Sequence, residues 1–477
     1  MTRTPVLRAP LVGGTPVEWH LTDPDGARAA AERTPDGLTF LQIDHVNAAL
    51  AKRESGEPHT GTASSVTVFD EPLDRDAMAA ALTAFCRRHD ELRAVYPVDD
   101  TGPSRRVAPP ETIEFVTVSS DDHVDADAVI GLVQQRINAE AVFDRLPGFV
   151  FGAIDGGDRF TFYAGYDHSH TDGFSQFAGL LEIARTYRAI RAGQTPDSGP
   201  VGSFGDYIAA EKQTVASLTP ADPRIAEWRA ILAVHDKRIP RFPLDLGLSD
   251  SEPAPAAPLR LSLVAGDVLE ACDARRGDTA SGAGIVYAAL AAAQHELTGV
   301  EHFFTATVLA ARAPHQAQTQ GWLCNFAPIA FDVTGSMSFA ELTVAATEAV
   351  ARARRLATLP VHASLGALAA AGAYIPDPGS PQMVSYIDFR RIPGNDDAVL
   401  RNVTSFQAAG RTRNANMWLT RRADAMTLIA HIPDNPVAKS TFTAYVEAIR
   451  RWLTSYACGD ETMIGSAEAP GLAGQST

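Results

Sequence analysis

Tyr166-Asp167-His168-Ser169-His170-Thr171-Asp172-Gly173-Phe174-Ser175 gathers the side chains of this chain best suited to chemistry. An unperturbed imidazole titrates near neutral pH, so His168 is a candidate general base. Asp172, four residues on, is too acidic for that work unless strongly buried. A carboxylate in such a turn more often fixes local geometry, through an ion pair or backbone amides. His170 lies two residues from His168, and on an extended backbone it points the opposite way. Gly173 is expected to permit a backbone angle or a close approach that a side chain would forbid. By themselves three fixed residues in six are a weak signal, equally compatible with two loop histidines beside a helix-capping aspartate.

The elements that must position this loop are legible on either side of it. Residues 149–154 and 159–166 alternate as strands across the turn Asp155-Gly156-Gly157-Asp158, which predicts a hairpin delivering the chain to His168. Residues 174–190 have the spacing of an amphipathic helix. Upstream, 39–50 reads as a short helix containing Gln42 and His45, and 64–70 as a strand. Asp74 can cap a helix with Met78, Leu82, Phe85 and Cys86 on one face. Strands are expected over 92–98 and 113–118, and a helix over 126–137. Residues 191–203 and 240–258 are rich in Gly, Pro and Ser and read as connections around helices at 204–216 and 224–234. The second half alternates again. Strands are expected near 259–264, 302–310, 328–333 and 383–389, a hairpin over 417–421 and 426–431, and helices over 280–297, 339–356 and 437–456. No residue-level repeat links the halves, yet the mixture predicts two α/β layers of similar build.

With 477 residues the chain can build two domains, each with its own core. The net charge of −16 argues against nucleic acid, which rewards a basic surface. An acidic carrier protein is not excluded, because Arg352, Arg354 and Arg355 form a local basic cluster. Residues 1–14 lack a sustained apolar core with a cleavage site, and no apolar stretch is long enough to span a bilayer. A cytoplasmic location is expected. Cys86, Cys272, Cys324 and Cys458 are widely separated, which suggests neither zinc nor a redox dithiol.

Arg88-His89-Asp90-Glu91-Leu92-Arg93-Ala94-Val95-Tyr96 adds a second signature. Together with the His168 stretch it resembles the condensation-domain superfamily of peptide synthetases, whose motifs run Arg-His-Glu-x-Leu-Arg-Thr-x-Phe and His-His-x-x-x-Asp-Gly. Asp167 stands where that motif has its first histidine, a departure that the free-standing acyltransferases of the superfamily tolerate. Gly321-Trp322-Leu323-Cys324-Asn325-Phe326-Ala327-Pro328 matches Gly-x-Phe-Val-Asn-Thr, and Arg312 matches the arginine that pairs with the motif aspartate. The segments 385–394, with Ser385-Tyr386-Ile387-Asp388-Phe389-Arg390, and 431–438, with Pro433-Asp434-Asn435-Pro436, look like the mycobacterial polyketide-associated acyltransferases. The early Trp19-His20 fits as well.

The resemblance implies an α/β fold: two chloramphenicol-acetyltransferase-like subdomains, residues 1–195 and 204–477, in a V-shaped pseudo-dimer with a central active-site tunnel. It also implies acyl transfer from a thioester to a hydroxyl of a sugar, lipid or polyketide, with His168 as base. Asp172, Gly173 and Arg312 would support the site, and Asn325, His170, Asp167 and Ser385 would contact substrate. No tightly bound cofactor or metal is expected; acyl-CoA or a phosphopantetheine-linked thioester is the co-substrate. An acyl or peptidyl carrier protein would act in trans. Two other readings stand beside this one: a free-standing condensation enzyme that forms an amide, and a catalytically silent scaffold that binds a carrier or ligand. No Gly-x-Ser-x-Gly elbow, P-loop or metal-ligand cluster is evident.

Overall fold

Two mixed layers of strands and helices make up the molecule, each built on its own sheet. In this computed structural model residues 10–196, 199–249, 252–377, 379–408 and 410–465 are described; parts of the 1–14, 191–203 and 240–258 segments considered above lie outside them. The first sheet runs Thr404–Gln407, Thr62–Phe69, Phe160–Asp167, Phe149–Asp155, Thr15–Leu21, Phe115–Ser119, with all neighbours antiparallel. Phe160–Asp167 is buried along its whole length between Thr62–Phe69 and Phe149–Asp155, so the strand that ends at His168 is an inner strand. Its hairpin partner joins through a turn in which Gly157 has φ 94°, a left-handed value that a side chain would strain.

The second sheet has seven strands, in the order Cys324–Asp332, His302–Ala310, Met383–Asp388, Asn416–Arg421, Ala425–Pro433, Ala254–Ala265, Arg411–Thr412. Met383–Asp388 is parallel to both of its neighbours, and the other pairs are antiparallel. Its core is closed by the Ala-rich helix Gly282–Thr298 together with Phe339–Leu356 and Pro436–Cys458. The first sheet is covered by Arg75–Arg88 and Gly173–Arg191, whose Met78, Leu82, Phe85, Leu180, Ile183 and Tyr187 are buried together. Most expected elements are present with ends shifted by a residue or two, the normal behaviour of fraying termini.

Two expectations change. The division at 195/204 describes chain order only: residues 398–407 cross back to the first layer. There Thr404–Gln407 forms the edge strand on Thr62–Phe69, and Val399, Leu400 and Val403 join the first core. The strand expected over 92–98 is instead a 3-10 turn, Asp90–Arg93, followed by a two-residue strand, Ala94–Val95. Tertiary partners explain the difference. Asp90 accepts the amides of Phe204 and Gly205 at 2.9 and 3.1 Å, and Glu91 turns inward to Arg105, so the backbone bends to serve both.

Candidate active site

Strand, turn and helix meet at the motif. Asp167 closes the strand opposite Thr62, and its side chain accepts the Ser169 amide at 2.9 Å, which folds His168–His170 into one 3-10 turn. The loop is therefore not extended, but the two imidazoles still part. The His168 amide is tied to the Gly61 carbonyl at 2.9 Å. Its ring packs on Trp322 with centroids 4.3 Å apart, at the seam where the second layer meets the first. His168 is half-buried; Nδ1 is its sealed nitrogen and has no aligned partner, which leaves the opposite edge of the ring as the accessible one. Burial and the neighbouring His45 imidazole hold His168 below its ordinary value, against the raising influence of its own backbone and of Asp167 and Asp172. Such a ring is neutral near physiological pH.

Asp172 joins the layers. Its Oδ1 accepts the Ser175 amide at 2.7 Å, capping the helix Gly173–Arg191, and one nitrogen of Arg312 approaches Oδ1 and Oδ2 at 2.8 and 2.9 Å. Oδ2 also accepts the Leu323 amide at 2.9 Å, while Arg312 donates to Ser175 Oγ and the Thr319 carbonyl. Both charges are buried, with side chains 7% and 6% exposed, and each has several partners, although the buried Arg312 Nε has no hydrogen-bond partner among the described residues. An arrangement of this kind is costly to break from one side.

Gly173 does not serve the purpose expected of it. A Cβ there would meet only Ile387 Cδ1 at 3.6 Å, ordinary contact, and φ is not left-handed. The residue instead lines a cavity of about 100 Å³ between the layers, with Gln176, Phe177, Ser385, Ile387 and Trp418, so a side chain would point into that space. Among the described residues the Ser385 hydroxyl has no hydrogen-bond partner, and Ser385 lines the same cavity.

Three residues expected to contact substrate are committed elsewhere. Asn325 donates to the carbonyls of Ala357 and Leu359 at 2.8 and 2.7 Å and accepts the amides of Phe326 and Val361; its amide group is saturated by main chain and shapes the wall. His170 is fully buried, bonded through Nδ1 to the Glu91 carbonyl at 3.1 Å and packed on Tyr96; burial pushes it down to about 4. Asp167, also fully buried, is held by His45 at 2.9 Å and faces His59 at 2.8 Å. Burial works to raise Asp167, but those two imidazoles hold it well below the usual carboxylate range.

The Arg88–Tyr96 segment supports this loop from behind. Gln42 Nε2 donates to Glu91, to Tyr96 Oη and to the Ser169 carbonyl, while Arg105 Nε reaches Glu91 at 3.0 Å. Burial pushes Glu91 up to about 7 despite Arg105. Arg88 and His89 both bind Glu182 on the motif helix, at 2.7 and 3.1 Å. Arg105, His59, Gly61 and Glu182 were not singled out from sequence, because nothing in their local spacing marks them. The basic cluster suggested for carrier docking is partly tied down: Arg352 donates to the Ala330 carbonyl and Arg355 pairs with Glu227. No helix among the described residues is long and apolar enough to cross a membrane.

Comparison with known proteins agrees with this geometry. The condensation-domain family model matches residues 55–363. The chain is 29% identical over 457 residues to 2'-acyl-2-O-sulfo-trehalose (hydroxy)phthioceranyltransferase PapA1 of Mycobacterium tuberculosis, covering 92% of this chain and 85% of that one. It is 26% identical to acyltransferase PapA3 of the same organism, over 93% of both chains. Among solved structures, PapA2 acyl transferase superposes with a TM-score of 0.84 at 24% identity, over 96% of this chain and 98% of that one. The first condensation domain of the calcium-dependent antibiotic synthetase superposes with a TM-score of 0.69 at 19% identity, over 90% and 98%. The two layered sheets are thus the two lobes of the condensation-domain fold. The chain belongs to the condensation-domain family and is an acyltransferase.

Proposed function

We propose that this protein moves an acyl group from a thioester to a hydroxyl of a sugar or lipid acceptor, with His168 as the general base. The observation that carries the reading is the His168 imidazole itself. It is depressed by burial, sealed on its Nδ1 edge, packed on Trp322 and accessible along its other edge at the junction of the lobes. Nε2 takes the proton as the acceptor oxygen attacks the thioester carbonyl. The tetrahedral intermediate then collapses, the C–S bond breaks, and the departing thiolate recovers that proton from the imidazolium. A thioester is already activated, so no covalent acyl-enzyme is required, and a positioned base contributes on the order of 10²–10⁴-fold. The Ser385 hydroxyl, an uncommitted donor on the cavity wall that includes Gly173, is suited to polar contact with substrate or the developing oxyanion. Asp172 and Arg312 hold the lobes in register and do not touch the reacting atoms.

Acyl-CoA is the donor we favour, since a condensation domain of the same fold, from rhizomide synthetase, has been solved with C8-CoA at a TM-score of 0.65. A trehalose-like acceptor is supported by relatives such as trehalose-2-sulfate acyltransferase PapA2. The test is incubation of the purified protein with acyl-CoA of graded chain length and with trehalose, other sugars, fatty alcohols and amines, followed by thiol release and product mass. Ester formation that is lost in His168→Ala supports the proposal. Transfer to amines alone, or full turnover in His168→Ala, overturns it.

A further inference from the structure

Acyl transfer through His168 leaves one cluster of chemically active side chains without a task. His45 stands on the helix Phe40–Ser55, His59 on the segment before the strand Thr62–Phe69, and Asp167 at the end of Phe160–Asp167. Their donor atoms all lie within 4.8 Å of one another. His45 Nε2 is 2.9 Å from Asp167 Oδ1 and makes a good hydrogen bond. His59 is different. Its Nε2 is 2.8 Å from Asp167 Oδ2, an ion-pair contact, and both atoms are buried with no well-aligned hydrogen-bond partner among the described residues. The contact is close but poorly directed as a hydrogen bond. Two closely spaced buried ligand atoms without aligned hydrogen bonds are what a third atom bound to both would find.

Two further observations bear on the same point. Asp167 is fully buried, and its ion pairs among the described residues are with these two imidazoles, with no Lys or Arg. Oδ1 accepts His45 and the Ser169 amide, so the buried oxygen left without an aligned partner among the described residues is Oδ2, and such an oxygen is costly. Gly61 makes the convergence possible, since a Cβ there would stand 2.4 Å from His45 Cε1 and 3.2 Å from His59 Cε1. The absence of a side chain at 61 admits both rings to Asp167.

We propose that His45, His59 and Asp167 form a binding site for a divalent transition-metal cation of the zinc class. Two imidazoles and a carboxylate are the ligand set such ions take, whereas calcium and magnesium prefer oxygen ligands throughout. Metal–ligand bonds of about 2.0–2.2 Å place neighbouring donors about 3.3–3.6 Å apart in a tetrahedron, so small side-chain rotations convert the observed contacts into ligation. The dication would add a full positive charge beside Asp167 to the hydrogen bonds that it already accepts from His45 and Ser169. Its effect is to clamp three elements at the base of the turn that carries His168. The inference is independent of the acyl donor and acceptor.

The test uses the full chain in a Cys458→Ser background, because that cysteine is exposed and would bind zinc adventitiously. Protein freed of metal with a chelator is titrated with zinc chloride by calorimetry, and its melting temperature is recorded with and without zinc. One equivalent is expected to bind and to raise the melting temperature. Binding should persist in His168→Gln and fall at least tenfold in both Asp167→Asn and His59→Gln. Circular dichroism identifies any variant that fails to fold; His59→Gln, outside the sheet, then carries the comparison. Binding of well under one equivalent, or equal affinity in the wild type and His59→Gln, overturns the proposal and leaves the cluster as a carboxylate–imidazole clamp.

Discussion

His168 and His170 belong to the same 3-10 turn, yet their surroundings have little in common. His168 keeps an accessible edge against Trp322 at the lobe junction. His170 is sealed behind it, bonded to the Glu91 carbonyl and packed among Tyr96 and Phe149. Both are lowered by burial, His170 to about 4. The difference teaches that residue type and spacing do not select the base. Selection comes from what the neighbouring elements leave uncommitted. The same holds for Asn325 and Ser385, one saturated by main chain and the other free at the cavity.

The sharpest way to break this comparison is to exchange the imidazoles for amides. His168→Gln should lower kcat by at least roughly 10²-fold, whereas His170→Gln should cost less than about tenfold. Equal losses under saturating substrate would mean that the sealed imidazole also acts in the reaction.

Next in size is the staple beside them. Asp172→Ala strands Arg312 in a buried site, and a stability loss of about 3–5 kcal/mol is expected, read by denaturant titration. Activity should fall in step with folded structure, as it would for a group that holds geometry. An Asp172→Ala protein as stable as the wild type yet inactive would instead make Asp172 a participant in catalysis.

The two histidines should also separate by pH. His168 must be neutral to accept a proton, so kcat/KM should fall as pH drops through a value below its ordinary 6.5; a limb above 6.5 would contradict the burial argument. For His170 the unfolded chain takes up the proton first, near 6.5, and the folded chain only near 4. Stability is therefore intact above about 6.5 and declines as pH falls toward 4, by on the order of 3 kcal/mol from this group. His170→Gln should flatten that slope relative to the wild type in urea titrations at pH 7, 6, 5 and 4.

The smallest effect is expected at the cavity. Ser385→Ala removes one hydrogen bond, worth about 0.5–1.5 kcal/mol, so kcat/KM should drop no more than about tenfold with the melting temperature unchanged. No change with any acceptor would remove Ser385 from the site.

What the sequence by itself determined is local. The hairpin into His168, the helix begun by Asp172 and the cap at Asp74 follow from hydrogen bonds within a few residues and from the period of the apolar positions. The order of motifs also sufficed to recognise the family. Choices between partners far apart were decided only by the tertiary structure. Asp172 meets Arg312 across 140 positions, and residues 398–407 leave their own lobe to complete the sheet of the other. Asn325 loses its amide to a distant loop, and His45 reaches Asp167 past a Gly61 whose Cβ would stand 2.4 Å from its ring. The physical reason is that a chain encodes its periodicity and caps in neighbouring residues, while the commitment of a buried polar group depends on which donors packing brings within about 3 Å.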